Sequence, residues 1–442
     1  MRRQSGANRG EGSGGAALRQ PAALAVAAAA TLLHGSGAVA QSEESQLTPE
    51  SAAQVRDAEH YAMPDVPDAT LASANIDPPE KNWGVNWGAA ILPADYTTFT
   101  QDRASKEQVG IQDDTYQVRS FRLSSYGYFE LLRRWSYLLS YEYKGFAQIP
   151  GTANWQPTDI RLSTKFQFAT LTFGKFKEPF VYEMVGDSAN LPQSERLLNP
   201  FFKSRNLGVQ LSNTFLNERA TWAVGAYNNW LTTSSRISEA GKDFAARVTG
   251  LPLWADEGAS YLHVAMSLRY VGADSGVLRF KGTPASNVAS NYVDTGNMAG
   301  NHAWNTGFEA LWNSGPYSLL GEYVSSSVRS ASSADPHFSG GYVTASWVIT
   351  GEHRPYDRKA AYARRVLPSG RWGAWELMAR YGRVSLEDAE VHGGTMHGGW
   401  AGVNWWATRR WKFSVSAGEV TLERFGLSGN TLEVLSRIQW IY

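Results

Sequence analysis

The chain has 442 residues, no cysteine and a formal net charge of zero, with 17 tryptophans, 20 tyrosines and 42 glycines. The absence of cysteine excludes a disulfide framework, and the balanced charge is not that of a typical nucleic-acid binding protein. After the first 40 residues, no apolar run approaches the ~20 residues that a membrane-spanning helix requires.

Residues 1–40 have the pattern of a secretory signal peptide. Four arginines precede the apolar run at 21–33, and the tripeptide Ala-Val-Ala follows at 38–40. A positive flank, a short apolar stretch and a small-x-small site predict export and cleavage before Gln41. The alternative interpretation is an alanine-rich tail without a targeting role.

Residues 41–82 differ in composition from everything that follows. They are polar and acidic and contain Pro64, Pro67, Pro78 and Pro79. A short helix with Thr48 as its N-cap is compatible with this stretch. We interpret the segment as a periplasmic lead-in or linker.

From Trp83 to the end of the chain, apolar and polar residues alternate with a period of two. In the last stretch, Leu432, Val434 and Ile438 fall on one face, and Glu433 and Arg437 fall on the other. Such alternation is typical of a half-buried soluble sheet or of a membrane barrel with lipid outside and water inside.

Aromatic residues near the strand ends favour the barrel, because girdles of tryptophan and tyrosine mark both edges of the apolar band. These residues are Trp135, Tyr137, Trp312, Tyr317, Trp405, Trp406, Trp411, Trp440 and Tyr442. The aromatic chain end also fits a last strand that must close the barrel against the first and therefore cannot fray.

The number of strands supports the same interpretation. We count sixteen predicted strands between residues 83 and 442, and bacterial single-chain barrels have an even number. Connections alternate between long ones, such as 179–204 and 273–302, and tight ones, such as 216–218 and 408–410. The long, basic segment 353–370 breaks this alternation of connection lengths. Either our strand register slips there, or the barrel has one large periplasmic loop.

Several separated blocks resemble the phosphate-selective porin O/P family. They include Phe173-Gly174-Lys175-Phe176, the pair Glu195-Arg196, and the late stretches at 348–356, 373–388 and 402–417. The resemblance covers roughly Trp83 to Tyr442. It implies a homotrimeric, all-β transmembrane antiparallel barrel of about 16 strands in the outer membrane of a Gram-negative cell. It also implies that the third extracellular loop folds into the lumen and narrows the pore.

For anion passage, fixed positive charge is needed where the channel is narrow. Candidates come from the third loop, its flanks and the facing wall. Arg122 matches one arginine of a pair that the family places on an early strand, whereas its neighbour here is Phe121. By parity, Arg119 points to the opposite face. The predicted anion-binding residues are Arg122, Arg161, Lys165, Lys177, Arg196, Lys203 and Arg205.

The same charges also have a plainer explanation. Porin lumens carry charges of both signs because water is there, and four carboxylates lie beside the basic candidates. Where the family has a loop lysine for phosphate, residues 185–190 contain none. A non-selective diffusion porin for organic solutes therefore fits as well as a phosphate or polyphosphate channel.

Two further classes of function stay open. The first is a barrel hydrolase, because "GDSAN" partly matches a serine-hydrolase motif with Ser188 as the nucleophile. This function requires a histidine base within hydrogen-bond reach of Ser188. The second is a structural or binding barrel whose lumen is plugged. His392 and His397 are too few to predict a metal site. We expect no cofactor, no metal and no nucleic-acid partner; the expected partners are small anionic or hydrophilic solutes and outer-membrane lipid.

Overall fold

The computed structural model describes residues 83–144, 154–230, 240–274, 276–331 and 334–441. The predicted signal peptide, the segment 41–82 and the terminal aromatic Tyr442 lie outside these residues. Within them, the chain forms one closed antiparallel sheet. The ring closes where the first strand pairs with the last, with Ile91 opposite Ile441 and Gln101 opposite Thr431.

The main sheet has eighteen strands, which fill sixteen positions around the barrel in the described part of the chain. β2 and β3 share one position because both pair with β1. β11 pairs with β14 and continues the position that β10 occupies beside the same strand. The strands of the main sheet are β1 (Trp83–Gln101), β2 (Thr115–Val118), β3 (Phe121–Leu131), β4 (Arg133–Lys144), β5 (Asn154–Lys165), β6 (Thr170–Phe176), β7 (Asn206–Phe215), β8 (Ala220–Asn228), β9 (Lys242–Ala255), β10 (Ser260–Gly272), β11 (Val277–Leu278), β14 (Met298–Ser314), β15 (Tyr317–Ser330), β16 (His337–Val348), β19 (Ala374–Asp388), β20 (Val391–Trp406), β21 (Trp411–Arg424) and β22 (Leu427–Ile441). The expected barrel of about 16 strands is confirmed.

The remaining elements are short and lie in connections. Two small hairpins have strands of only two residues each. One pairs β12 (Lys281–Gly282) with β13 (Val293–Asp294), and the other pairs β17 (Tyr356–Asp357) with β18 (Tyr362–Ala363). The helices are α1 (Arg103–Val109) and α2 (Tyr182–Val185), with single 3-10 turns at Asn199–Phe201 and Asp256–Gly258. Neither helix in the described residues has the length and apolar character to cross a membrane.

The predicted alternation is confirmed along the strands. On β22, Leu432 and Ile438 are 46% and 48% exposed, whereas Glu433 and Arg437 between them are 2% and 3% exposed. The apolar side chains therefore face outward and the charged ones face the lumen. This is the reverse of a soluble protein, and it is the arrangement that a hydrocarbon surround favours.

Outward-facing aromatic rings form a continuous band at one end of the barrel. Trp375 stacks on Trp405 with ring centroids 5.4 Å apart, Trp405 stacks on Phe413 at 5.2 Å, and Trp411 contacts Trp440 at 6.4 Å. Trp406 is an exception to the predicted girdle, because it is buried and faces inward. Its parity on β20 is opposite to that of Trp405, so it belongs to the lumen.

The connections differ in length between the two ends of the barrel. At what we call the turn end, adjacent strands are joined by as little as Leu132 or 315–316, whereas the opposite loop end carries 102–114, 177–205 and 273–297. The segment 349–373 is the long exception at the turn end, as the sequence indicated. It folds back into the barrel, and its Tyr362 and Val366 are fully buried.

The connection between β6 and β7, residues 177–205, crosses the inside of the barrel; we call it the inner loop. Its apolar side chains pack against inward residues of β14, β15 and β19 to form a dry core within the lumen. The members are Phe180, Val181, Tyr182, Met184, Leu197, Leu198, Phe201, Leu311, Val324 and Val384. The expectation that inward side chains line only a wet tunnel is therefore wrong for this side of the barrel.

Glycines in the wall allow the inner loop to approach. A Cβ on Gly382 would lie 2.3 Å from the Leu197 Cδ2 atom, and one on Gly340 would lie 2.7 Å from the Phe201 Cε2 atom. Glycine inside a strand often marks such a close approach of another segment.

We expect Gly382→Val to destabilise the barrel by about 1–3 kcal/mol, because overpacking forces the loop off the wall. Thermal denaturation of the detergent-solubilised protein measures this. Gly399→Val is the matched control, since a Cβ there would meet only the Arg380 carbonyl oxygen, at 3.9 Å. Equal effects of the two substitutions would contradict the packing explanation.

Candidate functional site

Ion pairs hold the inner loop to the barrel wall around much of its course. Glu183 of the loop accepts from Arg380 on β19, with an Oε1 to Nη2 distance of 2.6 Å. Glu178 pairs with Arg269 on β10. Both pairs are buried, so each charge depends on its partner for compensation. The loop is therefore a fixed partition of the lumen.

Glu183 also fixes the conformation of the loop itself. Its Oε2 atom accepts hydrogen bonds of 3.0 Å from the backbone N–H groups of Leu197 and Leu198. From the wall, the Glu322 carboxylate accepts from the backbone N–H of Tyr182 at 2.5 Å and of Glu183 at 3.0 Å. One loop carboxylate thus joins both arms of the loop to β19.

Glu195 forms the corresponding anchor near the seam of the barrel. It accepts from Arg119 at 2.6 Å and also pairs with Arg437 of β22, which binds Asp95 of β1. Burial opposes ionisation of Glu195, but the Arg119 and Arg437 guanidiniums outweigh it and lower the pKa to about 2. Because the folded-state pKa is lowered, this anchor stabilises the fold above about pH 4.5 and loses its contribution as the pH falls towards 2.

The expectation that Arg119 faces away from the lumen is wrong. Gln117 on β2 and Arg122 on β3 both point inward although five positions separate them, which strict alternation forbids. The break lies at 119–120, between the two short strands. Such an irregularity re-aims side chains in a way that parity counting cannot detect.

Arg122 and Arg205, two of the predicted anion-binding residues, are neutralised by carboxylates. Arg122 pairs with Glu142 at 2.6 Å and lies 3.8 Å from Asp187 of the inner loop. Arg205 pairs with Asp159 at 2.8 Å. These arginines contribute little net positive charge.

Arg196 and Lys177 bind the inner loop itself. Arg196 donates to the Glu183 carbonyl oxygen at 2.5 Å, and Lys177 donates to the Gly186 carbonyl oxygen at 3.1 Å. Both cationic groups thus bind backbone carbonyl oxygens within the inner loop and connect one part of the loop to another.

A cavity of about 120 Å³ lies between the inner loop and the wall from β5 to β9. Its charged lining consists of Arg161, Lys177, Glu178, Arg247 and Lys359. Hydroxyl and amide groups from β6, β7 and β8 supply most of the remaining polar surface. The lining thus holds four cationic groups and one carboxylate, and two of the four have carboxylate partners outside the lining: Arg247 pairs with Glu309 at 2.6 Å and Lys359 with Glu218 at 3.7 Å.

The remaining two predicted residues lie apart from this cavity. Lys165 is the last residue of β5, exposed at the turn end. Lys203 is half-buried at the loop end, within electrostatic reach of Asp243. The structure thus brings Arg161 and Lys177 together, and it places Lys165 and Lys203 towards opposite ends of the barrel.

Arg247 and Lys359 line the cavity but were not among the predicted residues. Arg247 pairs with Glu309 at 2.6 Å and donates to the Ala361 carbonyl oxygen of the segment 349–373 at 3.0 Å. Its inward parity on β9 was a usable signal. Lys359 had none, because nothing local indicates that its segment turns back into the barrel.

The enzyme alternative finds no supporting geometry in the described residues. Ser188 lies on the inner loop, and its side chain makes no hydrogen bond there to a histidine. His392 instead binds Glu387 at 2.5 Å. Among all the residues that the structure describes, no group of three or more metal-ligating side chains is found.

Comparison with known proteins supplies the family. The model of the family "Phosphate-selective porin O and P" matches residues 91–431. Porin O of Pseudomonas aeruginosa is 24% identical over 333 residues, which is 68% of this chain and 72% of that protein.

Solved structures show the same fold at low identity. The outer membrane channel DcaP of Acinetobacter baumannii has a TM-score of 0.53 at 12% identity, covering 82% of this chain and 99% of that chain. An anion-selective porin from Comamonas acidovorans also reaches 0.53 at 12% identity, covering 81% and 100%. OmpT of Vibrio cholerae, in a trimer form, reaches 0.51 at 11% identity, covering 81% and 100%. With a family model matching most of its length and a closed antiparallel barrel, this chain belongs to the phosphate-selective porin O and P family, a family of outer-membrane porins.

Proposed function

We propose that the protein is a weakly anion-preferring, homotrimeric diffusion porin that makes or breaks no bond. The observation that carries the proposal is the cavity between the inner loop and the β5–β9 wall, with four cationic side chains and one carboxylate in its lining. A unit charge 4 Å away contributes ~1 kcal/mol in water and about four times more at a protein surface. Small anions are therefore favoured over cations in this passage.

The predicted anion preference is weak because most lumenal arginines are already paired. Arg122, Arg205 and Arg119 each face a carboxylate within 2.8 Å. A tight phosphate site needs donors that are not committed to carboxylates. We therefore infer broad passage of small hydrophilic anions, including phosphate, without strong selection among them.

Two relatives support parts of this proposal. The porin from Comamonas acidovorans is described as anion-selective, and OmpT of Vibrio cholerae as a trimer. Transfer of these properties to the present chain rests on the shared barrel, so both need direct measurement. We further propose that the loop end faces outward and the turn end faces the periplasm, with residues 1–40 removed on export.

A bilayer experiment tests the anion preference. Reversal potentials in a potassium chloride gradient should give an anion-over-cation permeability ratio above one. A ratio at or below one would contradict the proposal and favour the non-selective alternative. Ser188→Ala should leave conductance unchanged, and loss of an esterase activity in that variant would instead support the hydrolase alternative.

We expect the double change Lys203→Ala and Arg205→Ala to lower this ratio by up to about twofold, because it removes two cations beside the inner loop that do not line the cavity, and it leaves the buried Asp159 without its Arg205 partner. The reversal potential measures the effect. Arg103→Ala with Lys106→Ala is the control, since it removes the same charge from helix α1 at the loop end. A ratio that shifts equally in both variants would argue against a role at the constriction.

A further inference from the structure

The wall side of the cavity carries a grid of hydroxyl and amide groups. They come from positions that pair across β6, β7 and β8, and all of them line the cavity: Thr170 with Ser212, Thr172 with Gln210, and Thr214 with Thr221. Paired side chains on one face of an antiparallel sheet lie about 4.5–5.5 Å apart, and the next pair on that face follows ~7 Å along the strand. The groups therefore form a regular polar surface.

Three of these hydroxyls are available to a solute. The side chains of Thr170, Ser212 and Thr214 make no hydrogen bond to any residue that the structure describes. Thr170 is only 5% exposed, so its hydroxyl group reaches little besides the cavity. A buried hydroxyl without a partner is unfavourable. The cavity is therefore where these hydroxyls find their partners.

Gln210 adds an oriented amide to the same surface. Its Oε1 atom accepts a hydrogen bond from the Tyr227 hydroxyl at 2.9 Å, which leaves the Nε2 group to donate into the cavity. The Tyr227 ring is held edge-on against Phe176, with ring centroids 5.6 Å apart. The amide is thus a preset donor, whereas the neighbouring hydroxyls can both donate and accept.

Two cations of the lining lie beyond one end of this grid. Arg161 lies opposite Gly174 of β6, and Lys177 follows the end of that strand, so both are nearer the inner loop than Thr170. Four strand positions separate Gly174 from Thr170, a distance of about 13 Å. The cavity therefore offers positive charge at one end and hydroxyl groups at the other.

The carboxylate in the lining is committed to the wall. Glu178 pairs with Arg269 and accepts a hydrogen bond from Asn206 at 2.5 Å. Because its charge is compensated there, Glu178 repels an anionic solute less than an unpaired carboxylate would.

The volume and the hydrogen-bonding character of the cavity indicate the class of solute. The cavity of about 120 Å³ holds roughly ten waters, on the scale at which one water occupies about 10–15 Å³. One solute of monosaccharide size fits when it displaces them. Phosphate oxygens serve mainly as acceptors, whereas the hydroxyls of a sugar both donate and accept, as the wall does.

We propose that this cavity is a binding site for polyhydroxylated carboxylates, the chemical class of aldonates and uronates. The solute carboxylate lies towards Arg161 and Lys177, and its hydroxyls exchange hydrogen bonds with Thr170, Ser212 and Gln210. The effect on flux rests on the proposed diffusion porin, to which the site gives a modest preference among small hydrophilic anions. Binding itself requires only the cavity.

Block of single channels by added solutes tests the assignment. In potassium chloride, gluconate should halve the current at a concentration at least fivefold lower than propionate, which has the charge without the hydroxyls. Sorbitol, which has the hydroxyls without the charge, should be weaker than gluconate by at least the same factor. Block by propionate or inorganic phosphate at concentrations equal to or below that of gluconate would overturn the proposal.

Thr170→Val combined with Ser212→Ala removes two hydroxyls from the grid. It should raise the half-blocking concentration of gluconate about three- to tenfold and leave that of propionate within about twofold, because only hydrogen bonds to the solute hydroxyls are lost. Ser318→Ala with Ser346→Ala is the matched control. It removes a hydroxyl pair that β15 and β16 hold near the turn end, outside the cavity lining.

A variant that exchanges the two residues separates hydrogen bonding from packing. Thr170→Ser combined with Ser212→Thr keeps both hydroxyls, so gluconate should block it as it blocks the unchanged protein. A loss of block as large as that caused by Thr170→Val with Ser212→Ala would show that packing is responsible, and it would overturn the proposal.

Titration calorimetry of the detergent-solubilised protein distinguishes this site from the porin function. Gluconate should bind at millimolar concentration, and the heat should be lost in Thr170→Val with Ser212→Ala. Binding by a protein that forms no channel would support the site and overturn the porin function. An anion-preferring channel that binds gluconate no better than propionate would overturn the site alone.

Discussion

Glu183→Ala is expected to lower the stability of the barrel by about 3–5 kcal/mol, because it leaves a buried guanidinium without its counter-charge. Arg380, its partner on β19, is 1% exposed in its side chain. The change also removes the acceptor for two backbone N–H groups of the inner loop. The inner loop should then leave the wall, so single-channel conductance should rise and become noisy.

Two measurements check this expectation. Thermal denaturation in detergent gives the stability, and planar-bilayer recording gives the conductance. Glu107→Ala is the matched control, because Glu107 forms an exposed pair with Arg103 on α1 at 2.8 Å. Exposed pairs of this kind contribute well under 1 kcal/mol. A conductance unchanged by Glu183→Ala would show that the inner loop does not limit the pore.

Arg161→Glu is expected to lower the anion-over-cation permeability ratio about five- to thirtyfold, because it changes the charge of the cavity lining by two units. Arg161 lies on β5 and lines the cavity together with Lys177 and Lys359. Reversal potentials in a salt gradient measure the ratio. Among the substitutions proposed here, this one should come nearest to inverting the selectivity.

Lys165→Glu supplies the control for that experiment. Lys165 lies on the same strand, four positions further along, and the substitution makes the same change in charge. Its side chain is exposed at the turn end and does not line the cavity, so the effect should be at most twofold. If Lys165→Glu changed the ratio as strongly as Arg161→Glu, the passage would not run through the cavity.

The barrel could be predicted from the sequence because its wall obeys a local rule. Alternation with period two fixes which face of β22 meets the hydrocarbon, and short turns such as 315–316 fix the order of neighbouring strands. The strand count follows from the same pattern. Each of these properties is carried by residues close together in the chain.

The constriction could be predicted only in part, because it is built from contacts between distant residues. Arg380 and Glu183 are 197 positions apart, and nothing near either residue indicates the other. Arg119 was assigned to the outer face because the irregularity at 119–120 shifts the parity. The dry core around Phe180 and Val324 was not predicted, because alternation assigns apolar residues to the lipid face and does not indicate where a distant loop packs against the inner face.

Wall glycines carried information that the alternation did not. Gly382 and Gly340 lie at inward positions where the inner loop packs against them. In the sequence alone they read as neutral positions within strands. Together with the inward apolar residues of β15, they mark where the loop rests, and this combination is a usable signal for other barrels.

The anchor of Glu195 on Arg437 has a consequence for biogenesis. Arg437 belongs to β22, the last strand of the described chain, and it also binds Asp95 of β1 across the seam. The Glu195 anchor is therefore complete only when both the last strand and the first strand are in place. Closure of the wall and anchoring of the inner loop thus share one side chain, and a substitution of Arg437 would weaken both at once.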